Sequence, residues 1–194
     1  RNFGMKINTF IKKLIIVILS FLLNTVSIAN EEAEYNIVHK TSVYEIRFYS
    51  ERLVVESIYN HSSSTFRKLF KYISGANNNS QKIEMTIPVN QIQKDNINFM
   101  QFILPSKFNK ETVPIPSNSD VKISIIEEGY FAVIKYSGRS SDKNFIKYSK
   151  ILEKELLEDK ILIEGSPFKA TYNRPFTLPP LRRNEAIFVV KWKS

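Results

Sequence analysis

Short segments in which apolar and polar residues alternate run through most of this sequence, which is the pattern of β-strands with one buried face. In the segment 44–49, Tyr44, Ile46 and Phe48 fall on one face and the residues between them fall on the other. The apolar run 53–58 follows closely and is expected to pair with it. Alternation and turn residues predict two further strands, at 82–89 and 98–104.

A short amphipathic helix is expected between these two pairs of strands. Apolar residues recur at helical spacing from Phe66 to Ile73, and the serines at 62–64 are candidate N-caps. Gly75 is expected to end the helix, because a residue with positive φ commonly follows a helix C-terminus.

The second half of the sequence repeats this plan. Strands are expected at 121–126, 130–136, 168–172 and 186–192, with a longer helix from about 142 to 160. The expected fold is α+β: a distorted antiparallel β-barrel built from two repeated strand-helix-strand-strand halves, with two helices packed on it.

The first 29 residues differ in character from the rest. Lys6, Lys12 and Lys13 precede an apolar stretch from 14 to 23, and the small residues of 27–29 precede an acidic pair. This order is typical of a signal peptide, and the apolar core is about half of the roughly 20 residues that a spanning helix needs. We expect residues 1–29 to be a signal peptide with upstream residues, cleaved after Ala29, and 30–194 to be one periplasmic or secreted domain. The alternative is an uncleaved membrane anchor.

Charge and cysteine content exclude several classes of function. The formal charge of +9 falls to +5 after residue 29, and the remaining lysines are scattered along the chain, so we expect no nucleic-acid partner. The sequence has no cysteine, which excludes disulfides, thiolate catalysis and cysteine-based metal sites.

Four stretches, taken in order, resemble the SOUL heme-binding protein family. They are "YEIRFY" at 44–49, "FRKLFKYISGANNNSQKIEMTIPV" at 66–89, "FILPSKF" at 102–108 and "YNRPFTLPPLRRNEAIFVVKW" at 172–192. Together they cover nearly all of the chain after residue 29. The resemblance implies a SOUL-like heme-binding domain with this fold and non-covalent binding of heme, another porphyrin or a similar flat hydrophobic molecule.

The resemblance also implies that the ligand lies against the first helix. Phe66 and Phe70 would offer aromatic surfaces one turn apart, and Arg67 and Lys71 could pair with two propionates. We include Phe48 among the expected contact residues. The alternative is that Phe66, Phe70 and Ile73 face the core, while Arg67, Lys68 and Lys71 form a solvated face.

No side chain is an assured iron ligand. Some family members carry a histidine where this chain has Phe48, which cannot bind iron. The other two histidines are His61, just before the first helix, and His39, near the expected new N-terminus. His61 is a weak candidate for an iron ligand. Met85 is expected to pack in the core. Three tyrosines are remoter candidates for iron: Tyr44, Tyr72 and Tyr172.

Catalysis has little support in the sequence. No Ser/His/Asp arrangement or Gly-rich phosphate loop is evident, so we expect no catalytic residues. Glu45 and Glu84 could act as a general acid or base on strands that line a cavity. Arg182 or Arg183 is expected to pair with a carboxylate and tie down the last strand, with a second anion clamp as the alternative. The runner-up functions are an interaction or stress-response module with a vestigial cavity and a hydrolase acting on a cavity-bound small molecule.

Overall fold

The structure is a computed structural model that describes residues 30–59 and 63–192. The expected signal peptide, residues 1–29, and the weak ligand candidate His61 lie outside the described residues. Neither helix in the described part of the chain is long and apolar enough to cross a membrane.

One antiparallel sheet contains all the named strands of the described residues. Its order is β1-β2-β7-β9-β8-β4-β5-β3-β6. The strands are β1 (Asn36–Lys40), β2 (Glu45–Tyr49), β3 (Arg52–Ile58), β4 (Val89–Lys94), β5 (Ile97–Ile103), β6 (Lys122–Ile126), β7 (Gly129–Tyr136), β8 (Leu162–Thr171) and β9 (Asn184–Lys191).

The sheet is open, and the expectation of a closed barrel is corrected accordingly. β1 and β6 are its edges, and β2 pairs with β7 whereas β3 pairs with β5 and β6. Only two residues, 50 and 51, join β2 to β3, and such a link spans at most about 11 Å. The two ends of the sheet therefore curl toward each other but are joined by covalent links rather than by a hydrogen-bonded ladder.

Two helices cover one face of the sheet, which confirms the α+β class. Helix α1 (Ser63–Ile73) contacts β3 and β5, and helix α2 (Asp142–Glu158) contacts β7, β8 and β9. Ser141 caps α2, because its hydroxyl accepts a hydrogen bond from the amide of Asn144. Gly75 has φ of +115°, as expected for the residue that ends α1. A short 3₁₀ helix (Pro179–Leu181) interrupts the β8–β9 connection.

The expected strand at 82–89 is wrong except at Val89, where β4 begins. Ile83 is buried beside α1, and its amide donates to the carbonyl of Ile73. Farther along, the amide of Ile87 donates to the carbonyl of Glu31. The alternation therefore comes from an extended segment that packs on the core without a neighbouring strand.

The order of the central strands reads symmetrically about the β8–β4 pair, with β7-β9-β8 on one side and β4-β5-β3 on the other. After β1, each half supplies two strands, a helix and two strands in that chain order, one strand more than the expected strand-helix-strand-strand unit. The duplication of the sequence itself stays a prediction.

Three hydrophobic clusters form the core. One joins α2 to β2, β7 and β9, and a second joins α1 to β3 and β5. The third lies on the face of the sheet that carries no helix, and there Tyr49 of β2 and Ile126 of β6 belong to the same cluster. Residues from both ends of the sheet therefore meet on that face, which the curl turns inward.

Candidate functional site

An aromatic surface lies exposed on α1. The side chains of Phe66 and Phe70 are 39% and 47% exposed, while Leu69, Tyr72 and Ile73 supply the buried side of the helix. The two phenyl rings lie 6.2 Å apart with only 13° between their planes. The alternative in which these residues face the core is therefore wrong for Phe66 and Phe70 and right for Ile73.

Two cations accompany these rings. Arg67 and Lys71 are exposed and stand one helical turn apart. Within residues 30–59 and 63–192, neither forms an ion pair, whereas the neighbouring Lys68 lies 2.6 Å from a carboxylate oxygen of Asp120. We call Phe66, Arg67, Phe70 and Lys71 the α1 face.

One residue of the α1 face, Phe66, also packs against the sheet. The ring of Phe66 meets that of Phe102, a buried residue of β5, with 5.1 Å between centroids and an angle of 62°. This edge-to-face contact leaves one side of Phe66 directed away from the core. Phe66 is thus packed on β5 as well as exposed on the α1 face.

Phe48 lies elsewhere. It belongs to β2, and its ring contacts that of Tyr130 on β7 at 5.2 Å. Helix α1 packs on β3 and β5, toward the other end of the strand order. The structure brings four of the five expected contact residues together and sets Phe48 apart from them.

The candidate iron ligands are occupied or distant from α1. His39 is on β1, where its ring lies 5.1 Å from that of Trp192. The hydroxyls of the three tyrosines donate to oxygens within the fold: Tyr44 to Asp159, Tyr72 to the carbonyl of Pro114 at 2.8 Å, and Tyr172 to Glu185 at 2.6 Å. Burial raises the pKa of Tyr72 to about 12.

Among the described residues, no group of three or more histidine, aspartate or glutamate side chains could hold a metal ion. Met85 packs on the cluster beneath α1, as expected.

A buried ion-pair network lies on the inward face of the sheet, and sequence reasoning missed it. Arg47 has no exposed surface and donates to Glu45 at 2.8 and 3.0 Å and to Glu185 at 3.1 and 3.2 Å. The only signal for this in the sequence is the alternation of Glu45 and Arg47 on one strand face, which also fits a solvated face.

Arg183 extends this network and confirms the structural role expected for it. Its guanidinium donates to both oxygens of Glu32, at 3.0 and 2.7 Å, and to Glu185 at 3.0 and 2.9 Å. It thereby joins the N-terminal segment of the described chain to β9. Arg182 instead donates to the carbonyl oxygens of Thr177 and Pro175, at 2.7 and 2.6 Å, and so holds the β8–β9 connection together.

The two carboxylates considered for acid or base chemistry do not share a cavity. Glu84 lies outside the named strands, its side chain is 79% exposed, and its nearest cation is Lys107 at 3.9 Å. Burial alone would raise the pKa of Glu45, but hydrogen bonds from Arg47 and Lys40 outweigh it and lower the pKa to about 2. Glu45 is therefore a permanently charged member of the network, not an acid poised near neutral pH.

The fold is shared with proteins of different kinds. The C-terminal domain of EcmrR is 12% identical, with a TM-score of 0.54 over 81% of this chain and 98% of that domain. EcmrR in a complex with DNA is 12% identical, with a TM-score of 0.56 over 96% and 69%. A hydrolase from Listeria innocua is 10% identical, with a TM-score of 0.55 over 79% and 94%. At these identities the likeness concerns the fold alone.

Among curated proteins, none matches the sequence closely enough to serve as a relative. The family model described as SOUL heme-binding protein, in contrast, matches residues 30–189. This match spans all nine strands except the end of β9, together with both helices and the α1 face. The chain belongs to the SOUL heme-binding protein family.

Proposed function

We propose that this protein binds heme or another porphyrin non-covalently on the α1 face. The observation that carries the proposal is the pair of exposed, nearly parallel phenyl rings of Phe66 and Phe70, 6.2 Å apart. Flat apolar ligands gain affinity by covering such surfaces, and aromatic rings stack on them in offset or edge-on arrangements. Membership of a heme-binding family supports the same ligand class.

The charges of the α1 face suit the acidic edge of a porphyrin. Arg67 and Lys71 each lie beside one of the two phenylalanines, and neither is engaged by a carboxylate in the described part of the chain. Propionates held by these cations would form charge-assisted hydrogen bonds, which are stronger than neutral ones. We infer that ring contact and these two cations supply the affinity, with no iron ligand required from the protein.

The inward face of the sheet does not offer an equivalent site. The cavity bordered there by Tyr49, Phe131, Phe168 and Tyr172 has a volume of about 10 Å³. That is room for about one water molecule, whereas pockets for drug-sized ligands occupy roughly 300 to 1,000 Å³. A porphyrin therefore does not fit in this inner cavity, whereas the rings of the α1 face are exposed.

The proposal is tested by titrating hemin into the wild-type protein and into a variant carrying Arg67→Glu and Lys71→Glu. We expect the variant to lose about 1 to 3 kcal/mol of binding free energy, the range for hydrogen bonds to charged groups. The matched control carries Lys143→Glu and Lys147→Glu, which are exposed, one turn apart and on α2. Equal losses in both variants would show a general charge effect and contradict binding at the α1 face.

We also propose that the protein is an exported carrier, released from a signal peptide after Ala29. The support is the lysine-rich start, the short apolar core and the small residues before the cleavage point. N-terminal sequencing of the released product is expected to begin at Asn30. Recovery of the intact chain in the membrane fraction would show an anchor instead.

A further inference from the structure

A groove of about 770 Å³ opens where the two ends of the sheet approach each other. Its walls are the segment 31–34, the β2–β3 link, the end of β5 and the loop that follows β5. Arg52, the first residue of β3, borders both this groove and the small inner cavity of about 10 Å³. The groove has the size of a small-molecule pocket.

Arg52 is a half-buried cation without a counter-ion in the described residues. Its Nε and Nη2 atoms are buried and have no hydrogen-bond partner there, and no described carboxylate forms an ion pair with it. Aromatic faces surround its guanidinium instead, with the carbon Cζ 4.0 Å from the ring centre of Tyr49 and 4.9 Å from that of Phe131. Arg47 and Arg183, on the same side of the sheet, each bind two carboxylates.

This arrangement is unusual for an arginine that has only a structural role. Buried polar groups nearly always find partners, and buried charges are normally paired. One water in the inner cavity, which Asn90 also borders, would satisfy a single inward donor but would leave the charge unbalanced. Burial lowers the pKa of Arg52 to about 10, while Tyr49 and Tyr172 act in the opposite direction, so the group remains charged at neutral pH.

We propose that Arg52 binds the carboxylate of a small ligand whose apolar body lies in the groove. Nε and Nη2 form the edge of the guanidinium that pairs side-on with both oxygens of a carboxylate. Because Arg52 lines the groove as well as the inner cavity, rotation about the last bonds of its side chain would present this edge to a ligand in the groove. Leu53, Ile103, Leu104 and Phe108 offer apolar contacts along the groove wall.

The negative charges at the rim of the groove disfavour the binding of small inorganic anions. The rim carries several carboxylates, among them Glu34 and Glu111, although Glu51 is paired with Lys110 at 3.5 Å and Glu32 with Arg183. These charges oppose an inorganic anion, so the affinity has to come from the apolar body together with the contact to Arg52. This site shares no residue with the α1 face and does not depend on the proposed porphyrin binding.

The test compares 3-phenylpropionate with its uncharged amide, 3-phenylpropionamide, by calorimetric titration of the wild-type protein. We expect the carboxylate to bind at least about tenfold more tightly, as a charge-assisted contact implies. Arg52→Met is expected to abolish this preference, and Lys110→Met, which removes the other groove cation, to keep it. The Arg67→Glu and Lys71→Glu variant should also keep it, which separates this site from the α1 face.

Thermal unfolding distinguishes binding from a structural role. Replacing the unpaired, half-buried guanidinium of Arg52 by an apolar side chain of similar length is expected to leave the melting temperature unchanged or raise it. Arg52→Lys, which keeps the charge but lacks the side-on pair of donors, should show a reduced preference and provides a second variant should Arg52→Met fail to fold. Equal affinity of the wild-type protein for acid and amide, absence of binding of the acid, or an undiminished preference in Arg52→Met or Arg52→Lys would overturn the proposal.

Discussion

The guanidinium of Arg47 lies between the carboxylates of Glu45 and Glu185. Arg47 and Glu185 are completely buried. Taking such charges out of water is costly, and only close, multiple hydrogen bonds compensate for that cost. Glu185 also accepts from Tyr172 and Arg183, so three elements of structure meet at one carboxylate: β2, the β8–β9 connection and β9. Loss of this single side chain would leave Arg47 without half of its counter-charge.

We predict that Glu185→Ala lowers the free energy of unfolding by about 3 to 5 kcal/mol, the usual effect of removing one partner of a buried ion pair. Glu128→Ala, at an exposed position between β6 and β7, is the control and should change it by no more than about 0.5 kcal/mol. Urea denaturation followed by circular dichroism measures both. A loss below about 1 kcal/mol in Glu185→Ala would indicate that water reaches Arg47 in its place.

At the scale of elements, helical spacing and turn residues were sufficient to predict α1, α2 and most strands, because these signals are local. The extended segment before β4 was not predictable, since burial on one side produces alternation whether or not a neighbouring strand is present. The members of the α1 face come together because they share one helix. Phe48 does not join them because β2 pairs with β7, and strand order depends on contacts between residues far apart in the sequence.

The C-terminus of α1 depends on the backbone of Gly75. Its φ of +115° is unfavourable for residues with a side chain, and a Cβ atom there would lie 3.4 Å from the carbonyl oxygen of Ser80. We predict that Gly75→Val lowers the free energy of unfolding by about 1 kcal/mol or more. The control is Ser74→Val at the exposed position before it. An equal melting temperature for Gly75→Val and the wild-type protein would mean that this turn rearranges freely.

For the molecule as a whole, the curl of the sheet limits the surfaces that a large ligand could cover. The inward face is filled by one apolar cluster and the ion-pair network, and the helices cover most of the other face. The α1 face is an exposed aromatic and cationic surface on the helix side of the sheet. A porphyrin bound there would touch phenyl rings and cations, and no iron ligand among the described residues is placed beside it.

The central claim is that the protein recognises the porphyrin ring and its acidic edge, not the metal. The most direct measurement is the dissociation constant of the wild-type protein for hemin and for iron-free protoporphyrin, obtained by calorimetric titration, and again with His61→Ala. We predict that the two ligands bind within about threefold of each other and that His61→Ala changes neither value, because both share the same ring and propionates. A large preference for hemin that disappears in His61→Ala, or binding of neither ligand, would contradict the account.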